Sequence, residues 1–165
     1  MNADAFRHLY EYHFAENRKI WDEYVNSISD EQFTQSVNYS HGSVRDQILH
    51  LISVDGIWFS PLPGASFPDP PDPAGLEDRA SIRTRWDGVE QRMRAYLAIL
   101  RDDMLFENPF PDHDEDKVLI LWQVLVHVVN HGTDHRAQLL RTLNDLGVKT
   151  VSQDYVFYVY DHPLP

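Results

Sequence analysis

The sequence predicts an all-α protein built as a four-helix bundle. Apolar residues recur every three or four positions in four separate segments, which is the pattern of helices with one buried face. Proline and glycine are concentrated between these segments. The chain has 165 residues, of which 42% are hydrophobic, enough to bury one core. We therefore expect a single domain that covers residues 1–165.

The first two predicted helices cover about residues 3–28 and 43–59. In the first, the buried face consists of Phe6, Leu9, Tyr10, His13, Ile20, Trp21, Tyr24, Val25 and Ile28. The second begins with Ser43, whose hydroxyl can cap the helix, and Asp46 follows three residues later. Pro61 ends it, because proline is not tolerated inside a helix.

The third and fourth predicted helices cover about residues 76–101 and 118–146. The third has the most regular spacing, in Ile82, Trp86, Val89, Met93, Tyr96 and Leu100. Gly147 follows the fourth, where a glycine can adopt the left-handed conformation that closes a helix. The segment from Tyr155 to Tyr160 is aromatic and apolar, and we expect it to pack on the bundle or on a partner chain.

Two connections between the helices are unusual. Ser60–Gly75 contains six of the ten prolines, and loops of this length are often lids or binding loops. A stiff surface segment is the alternative. Before the fourth helix, Met104–Asn108 and Val118–Leu121 either pair as a short hairpin or form the ends of the two flanking helices.

Composition and motifs exclude several functions. The net charge of −12 argues against nucleic-acid binding and against binding to anionic membranes. The chain has no cysteine, so disulfides and cysteine nucleophiles are excluded. The first residues show no signal peptide, no apolar run is long enough to span a bilayer, and we expect a cytoplasmic protein. The chain has no GxGxxG, Walker or GxSxG motif, and the zinc-protease HExxH pattern fails because Gly132 follows His131.

Histidine spacing indicates a metal site. His127, His131 and His135 are four residues apart in the fourth predicted helix, so neighbouring members lie close together. His50 lies in the second helix, which is equally apolar. Two ligands from one helix and a third from a facing helix would form a site with positions open to water or substrate. The sequence therefore predicts one divalent metal ion at His50, His131 and His135, with ordinary core histidines as the alternative.

Five further residues are candidates around this site. We interpret His127 as a neighbour of the ligands or a core residue, because three successive histidines span too wide an arc to share one ion. Asp55 and Asp134 are candidates to orient a ligand through its second ring nitrogen, although a buried ion pair with an arginine would also explain Asp55. His13 can face the cavity from the first helix, and Trp58 can form a pocket wall.

Two segments resemble the DinB-like family. Gly42–Ile52, with Trp58 and Phe59 closing the helix, resembles the family's second helix. His127–Gln138, which ends in H-x-x-x-H-R-x-Q, resembles its last core helix, and the resemblance covers nearly the whole chain in order. It implies a four-helix bundle, usually homodimeric, with a three-histidine metal site. By position, the ligands correspond to His50, His131 and His135.

The resemblance also implies a range of activities. The family is linked to S-transferases that use bacillithiol or mycothiol and to maleylpyruvate isomerase. We therefore expect a metal-dependent transferase that acts on a small molecule with a low-molecular-weight thiol as cosubstrate. A metal-dependent hydrolase and a non-catalytic dimeric metal-binding stress protein are the alternatives. Zinc or nickel is expected at the site, with iron or manganese as alternatives. The proline-rich loop and Asp134 depart from the family pattern.

Overall fold

The structure, a computed structural model, describes residues 1–65, 78–112 and 115–163. Four long helices are present in the predicted order: α1 (Ala3–Lys19), α3 (Val44–Phe59), α4 (Arg79–Ile99) and α5 (Leu121–Asp145). Two short helices, α2 (Asp30–Thr34) and α6 (Tyr155–Asp161), complete the set. The all-α class is confirmed. No helix within these ranges is long and apolar enough to cross a membrane.

The first helix differs from its prediction in how it ends. Beyond α1, the chain continues as a π-helical turn, Ile20–Tyr24, and a 3-10 turn, Val25–Ser27. Ile20, Trp21 and Tyr24 are buried in that continuation. The predicted extent to residue 28 is therefore correct, but the winding changes before the helix stops. Helix α2 then starts at a complete capping box between Ser29 and Gln32.

The ends of the other long helices follow the predicted signals. The Ser43 hydroxyl accepts a hydrogen bond from the Asp46 amide (3.1 Å) at the start of α3. Asp78 caps α4 by accepting from the Ser81 amide (2.8 Å). After α5, Gly147 has a φ of 92°, a left-handed conformation that glycine adopts without strain. Helix α6 was not predicted, because seven residues with no sharp apolar face carry little periodic signal.

Of the two alternatives predicted for the connection before α5, the short hairpin does not form. Within the described residues of this connection, the chain forms 3-10 turns at Asp103–Phe106 and Asp116–Val118 and contains no strand. The two segments do meet, since the Leu121 amide donates to the Glu107 carbonyl (2.9 Å) and Asn108 Nδ2 to the Lys117 carbonyl (2.7 Å). These hydrogen bonds join two segments that form 3-10 turns and not two extended strands, so they do not form a β-ladder.

Only the beginning of the proline-rich loop is described. Helix α3 ends in turns in which Ser60, Leu62 and Ala65 donate backbone hydrogen bonds to residues three or four positions earlier. The rest of Ser60–Gly75 lies outside the described residues, so both expectations, a stiff surface segment and a lid or binding loop, stay predictions.

The chain divides into two compact units. The first comprises residues 1–7 and 49–128, and the second comprises residues 8–48 and 129–165. The single domain expected from the sequence stays a prediction. In the first unit, Arg7 donates from its guanidinium to the carbonyls of Leu97 (2.9 Å) and Leu100 (2.5 Å). The rings of Phe59 and Tyr96 pack edge to face with centroids 5.7 Å apart.

The second unit joins α1, α5 and the C-terminal segment. The Tyr12 hydroxyl donates to the Gln153 carbonyl (2.6 Å), and the Gln32 side chain donates to the carbonyl of Leu146 (3.3 Å). Trp21 packs edge to face on Phe33, with ring centroids 6.2 Å apart. This unit carries most of the residues that form the candidate site.

Candidate metal centre

Three histidines converge in the structure. His41, His50 and His135 each offer one ring nitrogen, and these nitrogens lie within 4.8 Å of one another. His50 belongs to α3 and His135 to α5, and both are half-buried. His41 is exposed and precedes α3. The structure thus brings together two of the predicted ligands and adds a third histidine that was not predicted.

His131 lies directly beside this group. Its ring centroid is 4.2 Å from that of His135, one helical turn away on the same face of α5. The ring of His41 approaches His135 from the other side, with centroids 5.2 Å apart. His135 is therefore flanked by His131 and His41. The role of His131 as a ligand stays a prediction.

A short turn places His41 beside α5. The amide of Gly42 donates to the carbonyl of Tyr39 (3.1 Å), which leaves Ser40 and His41 at the tip. Ser40 has a φ of 52° and Gly42 a φ of 92°. Positive φ is unfavourable for serine, so the surrounding contacts must hold this conformation. We refer to Tyr39–Gly42 as the His41 turn.

Two side chains of α5 hold the His41 turn in place. The Ser40 hydroxyl donates to Gln138 Oε1 (2.5 Å). At the end of the turn, Gln47 Nε2 donates both to the Gly42 carbonyl (3.2 Å) and to Thr142 Oγ1 (3.0 Å). His135, Gln138 and Thr142 are spaced by three and four residues, so they share one face of α5. The face that carries His135 is therefore the face that positions His41.

The electrostatics of the site favour the neutral form of His135. The pKa of His135 lies below its usual value, first because of partial burial and then because of nearby His41, whereas Asp134 acts in the opposite direction. A metal ion binds only the neutral ring, so a lowered pKa keeps His135 ready to bind near neutral pH. Borderline cations such as zinc and nickel accept imidazole nitrogen, and the residues present fit that donor set.

The two predicted carboxylates are placed differently. Asp134 is exposed and accepts a hydrogen bond from Gln138 Nε2 (3.0 Å). The oxygen of the same Gln138 amide accepts the hydrogen bond from the Ser40 hydroxyl. It therefore helps to orient Gln138, next to the His41 turn. Asp55 is buried in α3, five residues after His50. The predicted role of each as a partner of a ligand histidine stays a prediction.

His127 lies on the surface, two turns before His135, and packs against Trp58. The two ring centroids are 4.7 Å apart and the rings meet edge to face. The ring centroid of Phe110 lies 6.1 Å from that of Trp58, in the same aromatic cluster. His127 is exposed. The structure thus joins two of the predicted neighbours, His127 and Trp58, in one aromatic cluster of the first unit.

His13 lies in a buried polar network centred on Arg136. Both side chains are completely buried, and Arg136 Nη1 lies 3.0 Å from His13 Nδ1 and 3.0 Å from Asn17 Oδ1. Arg136 Nε donates to Gln153 Oε1 (2.8 Å), and Nη2 donates to Thr133 Oγ1 (3.1 Å). This network joins α1, α5 and the C-terminal segment at Arg136, the residue that follows His135.

The charge of Arg136 is balanced through space by Glu16. Burial raises the pKa of Glu16, while the positive charges of Lys19 and Arg136 lower it. Arg136 also lies over the ring of Tyr12, 5.6 Å from its centroid. The buried charge of Arg136 therefore has a carboxyl group and an aromatic ring close to it.

Two features of the site were missed from the sequence. His41 has no helical spacing to link it to the other histidines, and the only local signal is its place before Gly42 and the Ser43 cap. Arg136 could have been found, because it continues the buried stripe of α5: Leu121, Val124, Leu125, Val128, Gly132, Leu139 and Leu143. Because Arg136 is charged, it was not counted among the apolar positions of that pattern.

Comparison with known proteins points to one family. The profile of the DinB family matches residues 1–162. The chain is also similar to Protein DinB of Bacillus subtilis (strain 168), with 23% identity over 170 aligned residues. That alignment covers 97% of this chain and 96% of the relative.

Proposed function

The chain belongs to the DinB family, and from that premise we propose that it is a metal-dependent enzyme, a thiol-dependent S-transferase for small molecules. The observation that carries the proposal is the convergence of histidine nitrogens within 4.8 Å. His50 and His135 are the common members of this group and of the ligand set expected from the sequence. His131, in ring contact with His135, is proposed as the third ligand.

The surroundings of the histidines support metal binding over an ordinary polar contact. Two charged imidazoles repel each other, and nearby His41 lowers the pKa of His135. A divalent cation removes this conflict, because each ring offers it a lone pair. We propose zinc or nickel, with iron or manganese as alternatives.

The chemistry follows from what such an ion supplies. When bound, it would lower the pKa of a thiol, and the thiolate is the reactive nucleophile. In the reaction, the sulfur forms a bond to an electrophilic carbon, the leaving group departs with its electron pair, and the thiol proton passes to solvent. Because the chain has no cysteine, the sulfur must come from a cosubstrate.

The chain's own residues would position the reactants. We propose that Trp58 and His127 form an aromatic wall for the electrophile, since aromatic faces bind flat apolar groups. Asp134 would act on the His41 turn through Gln138, and Arg136 would keep α5 rigid behind the ligands. Asp55 remains a candidate for orienting a ligand ring.

A transfer assay on reloaded protein tests the proposal. The protein is stripped of metal, reloaded with zinc or nickel, and incubated with monobromobimane and a panel of thiols that includes bacillithiol and mycothiol. We expect thioether formation, measured by mass spectrometry, well above the uncatalysed rate. His135→Ala should abolish the excess. His162→Ala, which changes an exposed histidine stacked on Tyr158, should retain it.

Other outcomes of this assay would identify the alternatives. Consumption of an ester probe without any thiol would indicate a metal-dependent hydrolase, in which the ion activates water. Metal uptake without turnover of any probe would indicate a non-catalytic metal-binding protein. Both outcomes contradict the transferase proposal while leaving the metal site intact.

A further inference from the structure

We propose that His41 is a displaceable ligand of the metal centre, a further imidazole that leaves the ion when a small-molecule thiol binds. The inference rests on the proposed metal site, but it assigns a role to a residue outside the expected ligand set. It predicts a site that is closed at rest and opens by movement of the His41 turn.

The first support is the position of the ring. His41 offers a nitrogen within 4.8 Å of those of His50 and His135. Nitrogens that share one ion with bonds of about 2 Å lie ~3–4 Å apart. Small side-chain rotations would therefore bring His41 into the same coordination shell. The ring of His131 also lies beside that of His135, with centroids 4.2 Å apart.

The second support is the difference in how the histidines are held. His50, His131 and His135 are half-buried on long helices, whereas His41 is exposed at the tip of a turn. Movement of a helical ligand would disturb a packed core, whereas His41 lies outside the helices at an exposed tip. His41 is thus the ligand that can leave with the least structural cost.

The third support is the backbone of the turn. Ser40 adopts a φ of 52° and is held there by its hydrogen bond to Gln138. Positive φ is unfavourable for serine, so a change in the turn that returns Ser40 to negative φ would relieve this strain. The Gln47 contacts to Gly42 and Thr142 hold the base of the turn, so the tip can move while α3 keeps its start.

The consequence concerns selectivity. With His50, His131 and His135 as the other three proposed ligands, His41 would fill the fourth position of a tetrahedral ion, so a thiol must compete with His41 to bind. Weak ligands such as water would be excluded, whereas a thiolate is a strong enough ligand to displace an imidazole. The centre would then remain unreactive until its cosubstrate arrives.

Cobalt substitution tests this directly, because the visible spectrum of Co²⁺ reports the number and type of its ligands. Full-length wild type, His41→Ala and His41→Gln are loaded with Co²⁺, and the metal dissociation constant is measured by competition with a chelator. We expect each variant to bind Co²⁺ at least about tenfold more weakly and with an altered spectrum. Free imidazole should restore the spectrum of His41→Ala. His162→Ala should match the wild type.

Titration with 2-mercaptoethanol tests displacement. If His41 competes with the thiol, His41→Ala should show the sulfur-to-cobalt absorption band at a thiol concentration about tenfold lower than the wild type. Ser40→Ala, which loses the hydrogen bond to Gln138 but keeps every histidine, should shift in the same direction by a smaller factor.

Two results would overturn the inference in distinguishable ways. If wild type binds one Co²⁺ and His41→Ala has the same affinity, spectrum and thiol titration, His41 is not a ligand, and the proposed function stands without it. If wild type binds no Co²⁺, the metal site itself fails.

Discussion

At the scale of single residues, Gly132 allows α1 and α5 to approach closely. A Cβ at this position would lie 2.5 Å from His13 Cε1, 2.9 Å from His13 Nδ1 and 3.1 Å from Arg136 Nη1. Both neighbours are buried and hydrogen-bonded, so neither can move aside freely. The small residue therefore belongs to the buried network and not to the metal chemistry, although it lies between two histidines of α5.

Gly132→Ala should destabilise the protein despite the higher helix propensity of alanine. Overpacking in a tight core costs about 1–3 kcal/mol, against a helix gain of about 1 kcal/mol, so we expect a net loss of up to about 2 kcal/mol. Urea denaturation measures this change. Gly56→Ala in α3 is the matched control, because its Cβ would meet nothing within 4 Å. It should stabilise by about 0.5–1 kcal/mol. Equal effects at the two positions would contradict the packing argument.

Arg136→Lys should destabilise the protein although it keeps the positive charge. Lysine lacks the planar fork that reaches Gln153, Asn17 and Thr133 together, so buried acceptors would lose their donors. We expect a loss of about 2–3 kcal/mol in the free energy of unfolding.

The same substitution on the exposed side of α5 supplies the control. Arg141 forms an exposed ion pair with Asp145, and Arg141→Lys should change stability by no more than about 0.5 kcal/mol. If the two substitutions had similar effects, the buried network would not stabilise the fold in the way described.

Two of the histidines that the sequence proposed as ligands belong to the converging group, and both lie on helices. His50 and His135 were identified because helical periodicity places them in strongly apolar segments, and both belong to the converging group. His41 could not be found in the same way. Its position depends on the φ of Ser40 and on hydrogen bonds to Gln138 and Thr142, contacts about 95 or more residues away in sequence.

At the scale of elements, the helix boundaries were set by local chemistry that a sequence displays. Ser43, Pro61 and Gly147 marked boundaries that the structure confirms, because capping and chain termination involve neighbouring residues. The hairpin before α5 failed for the opposite reason. A short apolar stretch can form either a strand or a 3-10 turn, so its sequence does not predict which one forms. The conformation depends on tertiary contacts such as those of Glu107 and Asn108.

The cap of α4 has a pH dependence of known sign. Hydrogen bonding to the amide of Ser81, and then to its hydroxyl, lowers the pKa of Asp78. A carboxyl whose pKa is lower in the folded state stabilises the fold above its unfolded pKa, about 3.9. That contribution is lost as the pH falls through the lower, folded value.

Asp78→Ala should therefore lower the urea midpoint at pH 7, and its difference from wild type should shrink as the pH falls below about 4. Urea titrations at a series of pH values measure this difference. Asp78→Asn, which keeps an acceptor at every pH, should differ less from wild type at pH 7. A difference that is constant with pH would show that the carboxylate form is not responsible.

At the scale of the whole molecule, the all-α class with four long helices follows directly from the sequence, because amphipathic periodicity is repeated over long segments. The homodimer implied by the resemblance stays a prediction. Helix α6 leaves Val156, Phe157 and Tyr160 exposed, with exposed fractions of 45%, 52% and 72%. These residues are candidates for a contact with a partner chain, and sedimentation of the protein tests whether a dimer forms.

The central claim is that His50 and His135 hold one divalent metal ion, and metal stoichiometry tests it most directly. Stripped protein is reloaded with zinc or nickel, freed of excess metal and measured by elemental analysis, together with its thermal unfolding. We expect one equivalent in wild type and in His162→Ala, with a raised unfolding temperature because the ion binds only the folded state. His50→Ala and His135→Ala should lose both the metal and the stabilisation. Wild type without metal, or variants that retain a full equivalent, would contradict the account.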